Sequence, residues 1–379
     1  MRNRFALLTA VSVFGAIGIV VVLWSSGCGN NEIAEQRDRG LGKMECDKAG
    51  GKVSFCSARP IWPKGRETEK NLSIGFRAVF EQRGCGSAVL RVTGSSVYRI
   101  FLNGNFVGYG PARGPHGYWR VDEWPLKGPL AIKNVLVIEV AGYNVNGYYL
   151  LDQPSFIQAE VVAAGKVLAS TAGEGAAFKA CILKERVQKV QRYSFQRPFI
   201  EYYRLEEGYD RWRRDASASF VKTKCAIVPD KKLLPRRVAY PRFSMRQPVW
   251  YVSRGEVKAG AQVEHLWKGR ELTNIGPKLK GFTEKELEVV PSIELQKIRQ
   301  VKTTKVDEPY SPAKAIDLGK NSFAILDLGT NLTGFVGTRV KCNKKTRLFI
   351  TFDEILSSGD VDFKRLNCVN AIGYELWPG

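Results

Sequence analysis

Tyr98-Arg-Ile-Phe-Leu-Asn-Gly-Asn-Phe-Val-Gly-Tyr-Gly110 is the stretch whose reading decides the fold class. Two runs rich in aromatic and β-branched residues flank Asn103-Gly104. That dipeptide is a strong two-residue hairpin signal, because both central positions of the favoured turn need positive φ. The pattern continues outward from it. Segments 72–82, 87–102, 134–141, 156–163 and 166–171 are apolar or alternating, and Ala164-Gly165 is expected to close a second hairpin. Strand patterns return in 322–328, 335–342 and 346–352. Short strands with turn signals predict an all-β protein of two antiparallel, jelly-roll-like sandwiches.

Composition agrees with that class. The 379 residues are 44% hydrophobic and 25% charged, enough to bury two or three cores and well outside the disordered range. With 14 Tyr and 19 Phe against three Met, the chain favours pleated surfaces over helical bundles. Pro229, Pro235, Pro241 and Pro248 interrupt the middle, and a Glu/Lys-rich stretch predicts helix around 286–290 and 293–298. The expected division is 1–27 as a signal peptide or membrane anchor, 28–52 as a linker, 53–214 as a first sandwich, and 215–379 as a linker plus a second sandwich.

Residues Phe5 to Trp24 carry no charge and follow Arg2 and Arg4, the pattern that engages a secretion channel. Ser25-Ser-Gly-Cys28 resembles a lipoprotein processing box, with Ser25 standing where Leu is usual. The alternatives are lipidation at Cys28, an uncleaved anchor of about 30 Å, or a soluble secreted form. Each places the folded part outside the cytoplasm, and the first two place it in the cell envelope, the expected location. Eight cysteines (28, 46, 56, 85, 181, 225, 342, 368) include no Cys-x-x-Cys pair, and only His116 and His265 supply imidazole, which argues against structural zinc. Cys46 and Cys56 are the nearest disulfide candidates; buried free thiols are the alternative. The net charge of +21 favours anionic partners such as acidic polysaccharides or phospholipid head groups. The basic runs Arg211-Trp-Arg-Arg214, Lys231-Lys232 and Arg236-Arg237 are short, and no nucleic-acid-binding signature accompanies them, so they read as solvated surface.

Two further stretches carry the family resemblance. Phe323-Ala-Ile-Leu-Asp-Leu-Gly-Thr-Asn-Leu-Thr-Gly-Phe335, paired with Phe349-Ile-Thr-Phe-Asp-Glu-Ile-Leu356, resembles the sandwich before the catalytic helical barrel of bacterial α-L-rhamnosidases. Ala58-Arg-Pro-Ile-Trp-Pro63, the Asn103-Gly104 hairpin, His116-Gly-Tyr-Trp119 and Asn134-Val-Leu-Val-Ile-Glu-Val-Ala-Gly-Tyr-Asn144 resemble the amino-terminal domain of those enzymes. The resemblance implies the non-catalytic, carbohydrate-recognising front of such a glycosidase. The matching residues run out where the barrel would begin, so the expectation is a chain inactive alone; an enzyme reading needs a separately encoded catalytic domain or a truncated or frameshifted reading frame. Stand-alone capture of surface polysaccharide and a purely structural envelope role are the alternative readings.

No catalytic residue is assigned. Glycosidases need two carboxyls converging on one bond, whereas Asp353 and Glu354 are consecutive on a strand and point to opposite faces. Asp327, Asn331 and Glu354 match the family pattern and read as turn-specifying residues. Sugars are held by aromatic faces together with amide and carboxylate groups. Pro115-His-Gly-Tyr-Trp-Arg-Val-Asp-Glu-Trp124 and Tyr143-Asn-Val-Asn-Gly-Tyr-Tyr-Leu-Leu-Asp-Gln153 fit that description. The candidate sugar-binding residues, all expected on loops, are His116, Tyr118, Trp119, Asn144, Asn146, Tyr148 and Asp152. Burial of these aromatics within the protein is the competing reading. Calcium is the one cofactor that the resemblance would bring, with no ligand set assigned.

Mass spectrometry of the amino terminus of the purified protein is expected to show either a lipidated Cys28 or an intact anchor. A cytoplasmic protein beginning at Met1 would overturn the export reading.

Overall fold

The computed structural model describes residues 54–82, 87–126 and 130–379 in full, together with the backbone of the strands Leu7–Val13 and Ile17–Gly27. The class is all-β, as composition and turn signals predict. The chain forms two compact units and crosses between them repeatedly. One unit comprises Asn31–Lys184 and Asp210–Ala239; the other comprises Met1–Asn30, Glu185–Tyr209 and Tyr240–Gly379.

In the first unit a five-stranded antiparallel sheet runs Lys179–Ile182, Leu72–Glu81, Lys133–Gly142, Tyr98–Leu102, Asn105–Gly110. A second sheet runs Ala176–Ala177, Lys166–Ser170, Ile157–Ala163, Ala88–Gly94, Tyr118–Leu126, Lys232–Pro235, and Ile61–Pro63 joins it through Ile157. The sheets meet through Trp62 and Phe76, both fully buried, with ring centroids 5.8 Å apart.

The near-continuous apolar run from Val135 to Val140 follows from burial on both faces of its strand. Leu136 and Ile138 are wholly buried. Val135 and Val137, on the opposite face, pack with Cys181, Leu183 and Trp212, beside Phe220. On that face Glu139 lies between Arg99 and Arg213, each 2.5 Å away. Burial acts to raise its carboxyl, and the two guanidinium groups outweigh it, leaving the group below the usual carboxylate range.

Both expected hairpins form. Asn103 and Gly104 have φ of 52° and 81°, and Leu102 pairs with Asn105 across them. The Asn103 side chain binds this turn to the neighbouring strand, accepting from Val135 N at 2.8 Å and donating to Asn134 Oδ1 at 3.1 Å. Ala164 and Gly165, at 46° and 75°, close the second. The segment 87–102 is two strands, not one. Ser95 and Ser96 break it, with Ser95 Oγ accepting from Phe156 N and Ser96 Oγ donating to Ala141 O, so the chain passes from one sheet to the other.

The second unit has a seven-stranded sheet ordered Glu201–Leu205, Ala371–Leu376, Thr346–Asp353, Leu7–Val13, Ser322–Asp327, Trp250–Lys258, Arg299–Pro309. Ile17–Gly27 pairs with Arg242–Arg246, Ile316–Leu318 and Gly334–Cys342. Ile316, Leu318 and Cys342 pack with Ala324, Leu326, Leu348, Ile350 and Leu376 to form the core between these sheets. The uncharged amino-terminal run thus lies in strands over the described backbone, and among the described residues no helix is long and apolar enough to cross a membrane. Cys28 and Cys46 fall outside the described residues. Cys56 is disulfide-bonded, while Cys181, Cys225, Cys342 and Cys368 are free.

The helix expected over 286–298 shrinks to Pro291–Gln296, preceded by a single 3-10 turn at Glu284–Glu286 that Thr283 and Glu286 cap reciprocally. Val289 forms a β-bridge with Val190 and Val290, at φ −131° and ψ 76°, is not helical, since both are β-branched and Val290 precedes a proline.

Replacing Gly104 by Val is expected to destabilise the protein by about 1–2 kcal/mol, since a β-branched residue resists positive φ. A drop of a few degrees in Tm reports it; an unchanged Tm would contradict the turn.

Candidate functional site

The loop 111–117, which leads into the Pro115–Trp124 stretch, reaches the Tyr143–Gln153 stretch through Arg113 and Tyr149, and the buried Asp122 carboxylate lies beneath that loop. The strand Asn105–Gly110 ends in a cis Gly110-Pro111 bond, and the chain then loops through 111–117 into the strand Tyr118–Leu126. Asp122 is fully buried beneath this loop. Its carboxylate accepts from the Tyr98 hydroxyl, from Arg236 Nη1 at 2.8 Å and from the backbone of Ala112. Trp124 Nε1 donates to Tyr98 Oη at 3.2 Å. Burial pushes the Asp122 carboxyl up, and these partners oppose the shift. A side chain at residue 110 would strike both Asp122 and Tyr98, which is why glycine stands there. Arg120 fixes the loop from a second side, donating to Arg113 O at 2.6 Å and to the carbonyls of Pro235 and Arg236 at 2.8 and 3.0 Å.

Tyr118 and Trp119 open a strand instead of lying on a loop, and the strand Lys232–Pro235 runs parallel beside them with Lys232 opposite Tyr118. Lys232 Nζ lies 5.6 Å from the centroid of the Tyr118 ring, which is 42% exposed. Lys231 Nζ lies 5.6 Å from Trp119 and 4.9 Å from buried Phe156, and those two rings meet edge to face at 5.3 Å. Burial lowers the Lys231 ammonium pKa, with Asp230 opposing. Trp119 is half-buried, so for this residue packing within the protein accounts for much of the ring.

From the 111–117 loop, the Arg113 guanidinium lies 5.1 Å from the Tyr149 centroid and ties the loop to the second stretch. Tyr148 beside it is 74% exposed, and His116 and Asp152 are also exposed. Asn146 Oδ1 accepts from Asp152 N at 3.0 Å and closes the tip of this loop.

Asn144 has a different place from the one its sequence suggests. It is buried at φ 44°, its Nδ2 donates to Glu67 O and Gln153 O at 3.0 and 2.6 Å, and its Oδ1 accepts from Ser155 Oγ at 2.6 Å. The amide is spent on the frame of the loop, not turned toward solvent. Sequence reasoning in turn missed Arg113 and Tyr149 and left Lys231-Lys232 as solvated surface. The aromatic signal of Tyr149 was in the quoted stretch; Lys231 and Lys232 are recognisable only through strand pairing, and Arg113 only through the loop's contact with Tyr149.

In the second unit, Asp327 Oδ1 accepts from Gly329 N at 2.7 Å, a turn bond of the expected kind. Asp353 is buried, with Oδ2 on Arg365 Nε at 2.7 Å. Glu354 is exposed and accepts from Asn331 Nδ2 at 3.0 Å. The two acids therefore have separate partners and environments. Among the described residues no group of three or more His, Cys, Asp or Glu side chains gathers as metal ligands. Burial raises the Cys225 thiol to about 11, which makes it a poor nucleophile at neutral pH.

No protein-family model and no curated protein matches the chain by sequence. Solved structures do. The GH78 family rhamnosidase of Bacillus sp. GL1 superposes with a TM-score of 0.50 at 16% identity over 79% of this chain and 35% of the enzyme. The α-L-rhamnosidase of Aspergillus terreus gives 0.38 at 13% identity over 89% and 46%, and a Pleurotus ostreatus lectin solved with GalNAc gives 0.29 at 11% over 83% and 90%. The first of these shows a rhamnosidase-like fold. The chain spans under half the length of either rhamnosidase.

Asn144→Ala is expected to cost about 2–3 kcal/mol in denaturant unfolding, because it strips partners from a buried hydroxyl and two carbonyls. Asp152→Ala, whose side chain is exposed, is expected to fall within about 0.5 kcal/mol of wild type. Equal, small effects would show that the Asn144 amide does not frame the loop.

Proposed function

We propose that the first unit recognises carbohydrate through the surface formed by Tyr118, Tyr148 and Tyr149 with Asn146 and Asp152. We propose further that the chain serves as the non-catalytic part of an α-L-rhamnosidase-like glycoside hydrolase acting on rhamnose-containing glycans. The observation that carries this reading is the exposure of Tyr148 and Tyr118 on a frame fixed from beneath by Asp122, Arg120 and Asn144. Keeping large aromatic faces in water is unfavourable unless a ligand covers them, and sugar C–H faces suit them. A rigid frame removes the ordering cost that a mobile loop would add to binding. The rhamnosidase-like fold supports the same class. Hydrolysis is assigned to a catalytic domain outside these residues, since Asp353 and Glu354 do not converge on one bond. Export, with Cys28 lipidated or the apolar run kept as an anchor, would place this surface where such glycans occur.

Titration calorimetry with rhamnose and rhamnose-containing oligosaccharides, with calcium added or chelated, is expected to show Kd on the order of 1 mM. Tyr148→Ala and Tyr118→Ala are expected to weaken it about 2- to 12-fold each, the loss of one aromatic contact. Aryl α-L-rhamnoside is expected to show no turnover above background. Binding that persists in both folded variants would remove this surface from the account, and turnover abolished by mutating two acids of this chain would replace the non-catalytic reading.

A further inference from the structure

The surface that carries the proposed sugar site also holds three cations that lie over aromatic rings. Lys232 lies over Tyr118, Lys231 over Trp119 and Phe156, and the guanidinium of Arg113 over Tyr149. None of the three forms an ion pair among the described residues. Several other arginines of this unit behave otherwise. Arg91 meets Glu123, Arg99 and Arg213 meet Glu139, and Arg236 meets Asp122. Of the carboxylates nearest in sequence, Asp230 pairs with Arg59 at 3.6 Å and acts on Lys231 through space without an ion pair, Asp122 is taken by Arg236, and Asp152 stands exposed on the Tyr148 loop.

We infer that the glycan taken here is anionic, a rhamnose-containing oligosaccharide with uronic acid residues whose carboxylates are read by Lys231, Lys232 and Arg113. This rests on the carbohydrate-binding reading above and narrows its ligand. The ring beneath each cation orients it without neutralising it, so the charge stays available to an incoming acid. The parallel pairing of Lys232–Pro235 with Tyr118–Leu126 fixes Lys232 directly opposite the exposed Tyr118, placing a charge reader beside an aromatic platform at a set spacing. Burial makes the Lys231 ammonium the least solvated of the three, and a carboxylate would restore the partner that water supplies poorly there. The net charge of +21 adds long-range attraction for the same class of ligand.

The test uses the full chain and two probes: a rhamnose–uronic acid oligosaccharide and the same oligosaccharide with its carboxyl groups reduced to alcohols. At low salt the acidic probe is expected to bind about tenfold tighter, the sum of three partly exposed ion pairs. The advantage should shrink on raising NaCl from about 0.05 to about 0.3 M, as screening shortens. It should vanish in the triple variant Lys231→Gln, Lys232→Gln, Arg113→Gln, with near-ultraviolet circular dichroism confirming the fold. A control variant with Lys285→Gln, Lys305→Gln and Lys344→Gln should keep it. If both probes bind alike and both depend on Tyr148, the anionic inference falls and the carbohydrate reading stands. If neither binds, both fall. If the two triple variants lose the acidic probe equally, the attraction belongs to the overall charge, and the inference is overturned.

Discussion

The buried Asp122 carboxylate is the interaction on which the candidate surface depends. It draws one partner from the five-stranded sheet, Tyr98, one from the loop that follows it, Ala112, and one from the returning segment, Arg236. An unpartnered charge at that depth would be strongly destabilising, so the three partners and the carboxylate require one another. Their joint requirement fixes where the 111–117 loop lies and brings the Lys232–Pro235 strand alongside Tyr118. Removal of the carboxylate would leave the Tyr98 hydroxyl, the Ala112 amide and the Arg236 guanidinium each short of one acceptor.

The returning segment does a second task on the outer face of the five-stranded sheet. Trp212 and Phe220 cover Val135 and Val137, while Arg77 reaches the carbonyls of Asp215 and Ala218 at 2.6 and 2.8 Å. A strand buried on both faces needs that cover, so residues far along the chain complete a core begun near residue 72. Cover and cation placement thus come from one piece of chain. Basic residues that in sequence look like scattered surface charge end up in two different roles: Arg213 neutralises buried Glu139, and Lys231 and Lys232 lie on aromatic rings.

Local signals were legible wherever a turn or an apolar pattern specified its own conformation. Asn103-Gly104 and Ala164-Gly165 adopt the positive φ values their residue types favour, and Asp327 makes the turn bond expected of it. Reading failed where an outcome depended on partners distant in sequence. The stretch 87–102 looks like one strand until Ser95 and Ser96 find Phe156 and Ala141. Asn144 looks like a ligand until Glu67, Gln153 and Ser155 consume its amide. The apolar amino-terminal run, paired here as strands with Ser322–Asp327 and Gly334–Cys342, shows the same ambiguity: continuous apolarity suits a two-sided strand as well as a secretion signal.

By itself, the sequence determined the all-β class, the tight turns, the aromatic stretches and the absence of convergent acids in 353–354. Each follows from φ preference, side-chain period or residue type, which act within a few positions along the chain. Only the tertiary structure decided which aromatics remain exposed, which amides are consumed, and that Lys231, Lys232 and Arg113 stand beside rings. The placement of Lys231 and Lys232 rests on strand pairing more than a hundred positions apart, Lys232 with Tyr118, and the Asn144 and Arg113 contacts on how loops fold back; no local preference encodes either.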